Sequence, residues 1–127
     1  MNQFNPNFQE SKALVELFGT GAEKIAKKLN DGGRNPDIST TQFRKFYEKV
    51  LELNDKAQGL SNEKFEIKVL PFLKMMNSKV QYAKTRNLCG FNFEKMMDKS
   101  IKNVNSAPEL QNFKYFLEAI IGYMPKK

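Results

Sequence analysis

From Ile67 to Phe93 the chain carries five basic side chains, Lys68, Lys74, Lys79, Lys84 and Arg86, and no acidic one. Extending the window to Lys102 adds Lys95, Lys99 and Lys102 against Glu94 and Asp98, so a net +6 of the formal +7 lies in this segment. Lysine and arginine neutralise phosphate oxygens, and a local excess of them is the electrostatic footprint of a surface that meets nucleic acid. The same composition also makes a solvated face that keeps a small protein dispersed. Charge alone does not separate the two.

Other chemistry is poorly equipped. There is no histidine, which removes the commonest general base and the commonest zinc ligand. The single cysteine, Cys89, sits beside Gly90 in an expected loop and reads as an ordinary small side chain. One cysteine allows no intrachain disulfide, as expected for a reducing cytoplasm. No Asp/Glu cluster lies in a Gly-rich or turn context suited to magnesium. Gly32-Gly33 lacks the Lys-Ser/Thr that completes a phosphate-binding loop. No catalytic residue, metal or cofactor is expected.

These basic residues must be held by helices. The chain has 127 residues with 40% hydrophobic content, eleven Phe and no Trp, which suits one domain over 1–127. The N-terminus has no basic start or apolar run, and no stretch approaches a membrane span. Residues 1–7 read as a loose tail. A short helix is expected over Gln9–Phe18, interrupted at Gly19-Thr20-Gly21. Thr20 and Glu23 then read as a capping box before a helix with Ala22, Ile25, Ala26 and Leu29 on its apolar side. Asn30-Asp31-Gly32-Gly33 stops it. Ser39 and Gln42 open the next helix, whose core face is Phe43, Phe46, Tyr47 and Val50.

Ser61 is expected to cap a central helix running to about Asn87, with Phe65, Val69, Phe72, Met76, Val80 and Ala83 inward. Pro71 requires a kink, or a helix that starts close to it. After Leu88-Cys89-Gly90, a helix buries Phe93, Met97, Ile101 and Val104, with Lys95, Lys99 and Lys102 opposite. Ser106-Ala107-Pro108-Glu109 starts the last helix, with Leu110, Phe113, Leu117, Ile120 and Ile121 inward and Pro125 at its end. The expected fold is an all-α compact bundle of five to six helices.

On the central helix Lys79, Tyr82 and Arg86 share one flank. Lys68 and Met75 extend it if Pro71 preserves the phase, while Lys74 and Lys84 diverge toward solvent. Tyr82 alone reads best as an edge of the core with lysine stems packed round it. Arg86 reads best as a phosphate ligand. The Phe stripes read as core. Arg44, Lys45 and Lys49 lie off the apolar stripe of the preceding helix, accompanied by Glu48 and Glu52.

Three local patterns carry a resemblance. They are Ile38-Ser39-Thr40-Thr41-Gln42-Phe43-Arg44-Lys45-Phe46-Tyr47, then Leu73-Lys74-Met75-Met76-Asn77-Ser78-Lys79-Val80-Gln81-Tyr82-Ala83-Lys84-Thr85-Arg86, then Phe116-Leu117-Glu118-Ala119-Ile120-Ile121-Gly122-Tyr123. In this order and spacing, over about residues 38–123, the chain resembles the small helical subunit of the subtype III-A CRISPR–Cas interference (Csm) complex. Gly122 departs from an Ala-like position of that pattern. The resemblance implies a non-catalytic cytoplasmic subunit whose copies stack along guide RNA paired with target RNA, opposite larger subunits, with cleavage belonging elsewhere. It carries an RNA-binding role to Arg44, Lys45, Lys74, Lys79, Lys84 and Arg86. The charge pattern alone adds Lys49 and Lys68, and the shared flank adds Tyr82.

The main alternative is a helical protein–protein interaction module without nucleic-acid contact. A helix-turn-helix regulator is less suited, because the helix after Gly90 opens without an evident set of base-reading side chains. An enzyme is the least suited reading.

Overall fold

The computed structural model describes residues 1, 3–30 and 36–124. The stop expected at 31–33 and the one at Pro125 lie outside the described residues. Among the described residues, seven α-helical segments follow one another: α1 Ser11–Glu16, α2 Ala22–Asn30, α3 Thr40–Ala57, α4 Asn62–Lys68, α5 Leu70–Thr85, α6 Phe91–Lys102 and α7 Ala107–Gly122. The all-α bundle expected from the sequence is the observed architecture, and no strand occurs among the described residues.

Three serines set three of the helix starts. Ser39 Oγ accepts from Gln42 N (3.1 Å), Ser61 Oγ from Lys64 N (3.2 Å) and Ser106 Oγ from Glu109 N (3.4 Å). Each bond satisfies an amide that has no partner inside its helix. The box expected at Thr20 and Glu23 does not form. The interruption expected at Gly19-Thr20-Gly21 is a kink at Gly19 (φ −103, ψ −105), within a π turn over Leu17–Gly21 that lies between α1 and α2. Pro71 behaves as the second expectation had it. Val69 (φ −121, ψ −49) closes α4 and opens α5, leaving Pro71 in the first turn, where a proline costs no hydrogen bond.

Apolar stripes converge on one core. Phe43, Phe65, Phe93, Phe113 and Phe116 are fully buried, with Leu29, Leu73, Met76, Met96, Met97 and Ile101 filling between them. The Phe93 ring meets Phe43 at 5.5 Å and Phe46 at 5.2 Å between centroids, joining the start of α6 to the first turns of α3. Helix α7 packs on α3 and α2, and α5 packs on α6.

The segment expected as a loose tail lies against this bundle. Phe4 stacks on Phe116 (6.0 Å), and Phe8, just beyond, is buried against Phe113 (5.6 Å). The carbonyls of Pro6 and Phe8 accept from the side-chain amides of Asn103 (2.5 Å) and Asn112 (2.7 Å).

A second long-range clamp holds the start of α6. Its N-cap is Gly90, which has no side chain to offer. Asp37 supplies the acceptors instead: Oδ1 from Asn92 N (3.1 Å), Oδ2 from Phe93 N (2.7 Å), and its backbone oxygen from Gly90 N (2.7 Å). The neighbouring Ile38 pairs with Cys89 in an isolated antiparallel bridge.

Candidate nucleic-acid interface

Helix α5 has three faces, separated by the roughly 100° that each residue turns. The core face is Leu73, Met76, Val80 and Ala83, continued by Val69 at the break, all buried. Phe72 was expected here. It is 47% exposed instead: Val69, Leu73, Met76, Val80 and Ala83, at spacings of four and three, complete the inward stripe, and Phe72 falls at its edge.

The second face is a polar seam with α6. Lys74 Nζ donates to the carbonyls of Ile101 (2.7 Å) and Val104 (3.0 Å), at the end of α6. Asn77 Nδ2 donates to Asp98 Oδ1 (2.7 Å), and Lys84 Nζ stands 3.5 Å from Glu94 Oε1. Lys74 and Lys84 were expected to point to solvent, and both turn to α6 instead. Burial lowers the pKa of Lys74, while the carboxylate of Glu109 acts to raise it. Burial also acts to raise the pKa of Asp98, but the Asn77 amide and Lys102 outweigh it and hold the carboxyl below its usual range. This seam uses two of the five basic residues in the acid-free stretch to hold two helices together.

The third face is open. Phe72, Met75, Lys79, Tyr82 and Arg86 recur at three and four residues, and all are exposed. Tyr82 is 62% exposed rather than an edge of the core. Arg86 Nη1 donates to the Tyr82 hydroxyl (3.0 Å), and its guanidinium lies 5.4 Å from the ring centre. Arg86 is also the C-cap of α5. Beyond it Asn87 adopts a positive φ of 62°, Asn87 N bonds to Lys84 O (3.0 Å), and Leu88 N to Ala83 O (2.9 Å). This paired closure fixes the last turn and the position from which Arg86 projects. Lys68, the last residue of α4, is exposed on the far side of the break.

Helix α3 runs antiparallel to α5. The Ile38–Cys89 bridge joins the start of α3 to the end of α5, and Lys56 near the end of α3 lies 5.5 Å over the Phe72 ring near the start of α5. Lys45, Lys49 and Lys56 share a side of α3 by helical position, which turns Lys45 and Lys49 toward α5 with Lys56. Lys49 is paired to Glu52 at 3.1 Å, while Lys45 is exposed. Arg44 lies about 100° away from Lys45, on the Tyr47 side. Burial and then the hydrogen bond to Glu118 (2.5 Å) push the Tyr47 hydroxyl up to about 12, and the charge of Arg44 pulls in the opposite direction.

The structure thus brings Lys79, Tyr82 and Arg86 onto one open strip with Lys68 beyond its start and the α3 lysines beside it. It sets Lys74 and Lys84 in the seam and Arg44 on another side of α3. Sequence reasoning missed Phe72 and Lys56. The available signal was the spacing of Phe72 to Met75, Lys79, Tyr82 and Arg86, masked by a competing fit of Phe72 to the core stripe.

Among the described residues, no three His, Cys, Asp or Glu side chains converge as a metal site, and no helix is long and apolar enough to cross a membrane. The Cys89 thiol is buried, and burial followed by the charges of Asp37 and Glu94 pushes it up to about 11. Comparison with curated proteins and with solved structures finds no match. A family model described as Csm2 Type III-A matches residues 12–124, taking in the first helices, which the three sequence patterns left out. The chain belongs to this family, the small subunit of the type III-A CRISPR effector complex.

Proposed function

We propose that this subunit is a non-catalytic structural element that grips the phosphate backbone of guide and target RNA without reading sequence and stacks with copies of itself. The observation that carries the RNA reading is the open strip of α5. Lys79 and Arg86 project from a face without a carboxylate, Lys68 continues it, and Lys45 and Lys49 flank it from α3. Lysine and arginine on a convex helix face meet phosphates along a strand but reach no set of base edges. Arg86 is held by Tyr82 and by the closure of α5, so little side-chain freedom is lost when it meets a phosphate. Lys74 and Lys84 act in this reading by fixing α5 on α6. Arg44, on a separate face, would meet a different part of the assembly.

Self-stacking is supported by apolar side chains exposed outside the strip, among them Val15 (78%) and Tyr123 (52%). Side chains of this type, where they gather on a surface, form the buried centre of contacts between proteins.

The test is RNA binding by the assembled complex across a salt series, with Lys79→Ala and Arg86→Ala in this subunit. Each substitution removes one phosphate contact, so the slope of log K against log salt falls by roughly 0.7 to 0.9 per subunit copy that contacts RNA. Loss of affinity is the same for RNAs of different sequence. Unchanged affinity and unchanged slope would overturn the assignment of this face to RNA.

A further inference from the structure

The open strip of α5 holds more than cations. Phe72 is 47%, Met75 55% and Tyr82 62% exposed, and the three share one side of the helix with Lys79 and Arg86. Phosphate contact alone does not account for three large apolar side chains in water. Each ring is also set beside a cation: Lys56 Nζ lies 5.5 Å from the Phe72 centroid, and the Arg86 guanidinium 5.4 Å from that of Tyr82. Exposed rings interspersed with cations are the arrangement that receives single strands, whose bases expose π faces while their phosphates stay within reach of lysine and arginine.

We infer that Phe72 and Tyr82 are stacking posts for unpaired RNA bases, with Met75 filling the surface between them. This rests on the RNA reading above and deepens it, since it names unpaired nucleotides as the class bound by this strip. The two rings are ten positions apart, about 15 Å along the axis. A stacked strand advances about 3.4 Å per nucleotide, so one strand reaches both posts with bases four to five nucleotides apart. Charge complementarity favours RNA over a protein occupant. No acidic side chain occurs from Ile67 to Phe93, and the cations beside both rings call for a negatively charged partner. The Tyr82 hydroxyl, in accepting from Arg86, sets the guanidinium beside the ring and leaves its other donors for a phosphate.

The test uses the whole chain and two fluorescent RNAs of equal length, one with bases and one an abasic sugar-phosphate chain. Wild type binds the base-bearing strand more tightly. Tyr82→Ala and Phe72→Ala each weaken that binding about five- to tenfold, at the low end for base stacking on aromatic side chains, and leave abasic binding unchanged. Tyr82→Phe keeps the ring and stays within about twofold of wild type. Lys79→Ala weakens both RNAs, and this arm reports the phosphate reading separately. If Lys79→Ala acts but the ring variants do not, stacking is overturned and phosphate contact stands. Equal wild-type binding of both RNAs, no binding of the base-bearing strand, or ring variants that alter only the self-association of RNA-free protein in sedimentation would also overturn the inference. The last outcome would make the strip a protein interface.

Discussion

Gly90→Ala tests how the candidate interface is anchored to the rest of the bundle. A Cβ built on Gly90 would stand 2.4 Å from Asp37 Oδ1, well inside van der Waals contact. The clash is with the tip of a side chain, so it is relieved by turning the Asp37 carboxylate away. That carboxylate, however, caps Asn92 N and Phe93 N at the start of α6. A lost N-cap costs about 0.5–2 kcal/mol, and withdrawing a negative charge from a helix start about 0.3–1 kcal/mol more. Gly90→Ala should therefore destabilise by about 2 kcal/mol, although the residue is in an extended conformation (φ −110) that alanine adopts freely. Asp37→Ala removes the same two bonds and should cost about as much. The double variant then loses little beyond either single one, because there is no carboxylate left to displace. Urea denaturation of the wild type, both singles and the double completes the cycle. Additive costs, or a Gly90→Ala protein as stable as wild type, would refute the reasoning.

Replacing Lys74 with Met leaves the Ile101 and Val104 carbonyls without their ammonium and should cost about 2 kcal/mol in urea melts, whereas Lys79→Met should cost under about 0.5 kcal/mol; equal effects would contradict the seam. Tyr47 has a folded value of about 12, above its ordinary value of 10, so its contribution is complete below pH 10 and lost as pH rises toward 12. Allowing for solvent screening, about 1 kcal/mol should disappear over that window in the wild type and be absent from the pH dependence of Tyr47→Phe, with ionisation followed at 295 nm. Cys89, pushed up to about 11 and buried, should be alkylated by iodoacetamide at pH 8 roughly a hundredfold or more slowly in the native protein than in guanidinium chloride; similar rates would place the thiol in solvent.

Much of the fold was legible because it is written locally. Ser39, Ser61 and Ser106 announce helix starts within four residues, and the stripes Phe43–Val50, Phe93–Ile101 and Leu110–Ile120 repeat at the helical period without interruption. The candidate interface was legible only in part, because its geometry depends on events that local pattern does not encode. Pro71 signalled the break, but Phe72 and Leu73 both fit the helical spacing between Val69 and Met76, and only packing against the rest of the bundle decides that Leu73 is the one buried. A lysine facing solvent and one facing helix-end carbonyls have the same sequence signature, which is why Lys74 was misdirected. The Asp37 cap lies 55 and 56 residues from the amides it serves, beyond any local motif.

The docked N-terminal segment has a consequence for how the chain is made. Its polar partners lie far along the sequence: Gln9 reaches Glu109, the Pro6 carbonyl Asn103 and the Phe8 carbonyl Asn112, separations of 100, 97 and 104 residues. At translation rates of about 5–20 residues per second, the first segment waits roughly 5–20 s for α7 to be synthesised. Until then Phe4 and Phe8 have no aromatic partner to cover them. The last helix therefore closes the core at both ends of the chain at once, and a nascent polypeptide short of α7 should remain a target for chaperones that hold exposed phenylalanines.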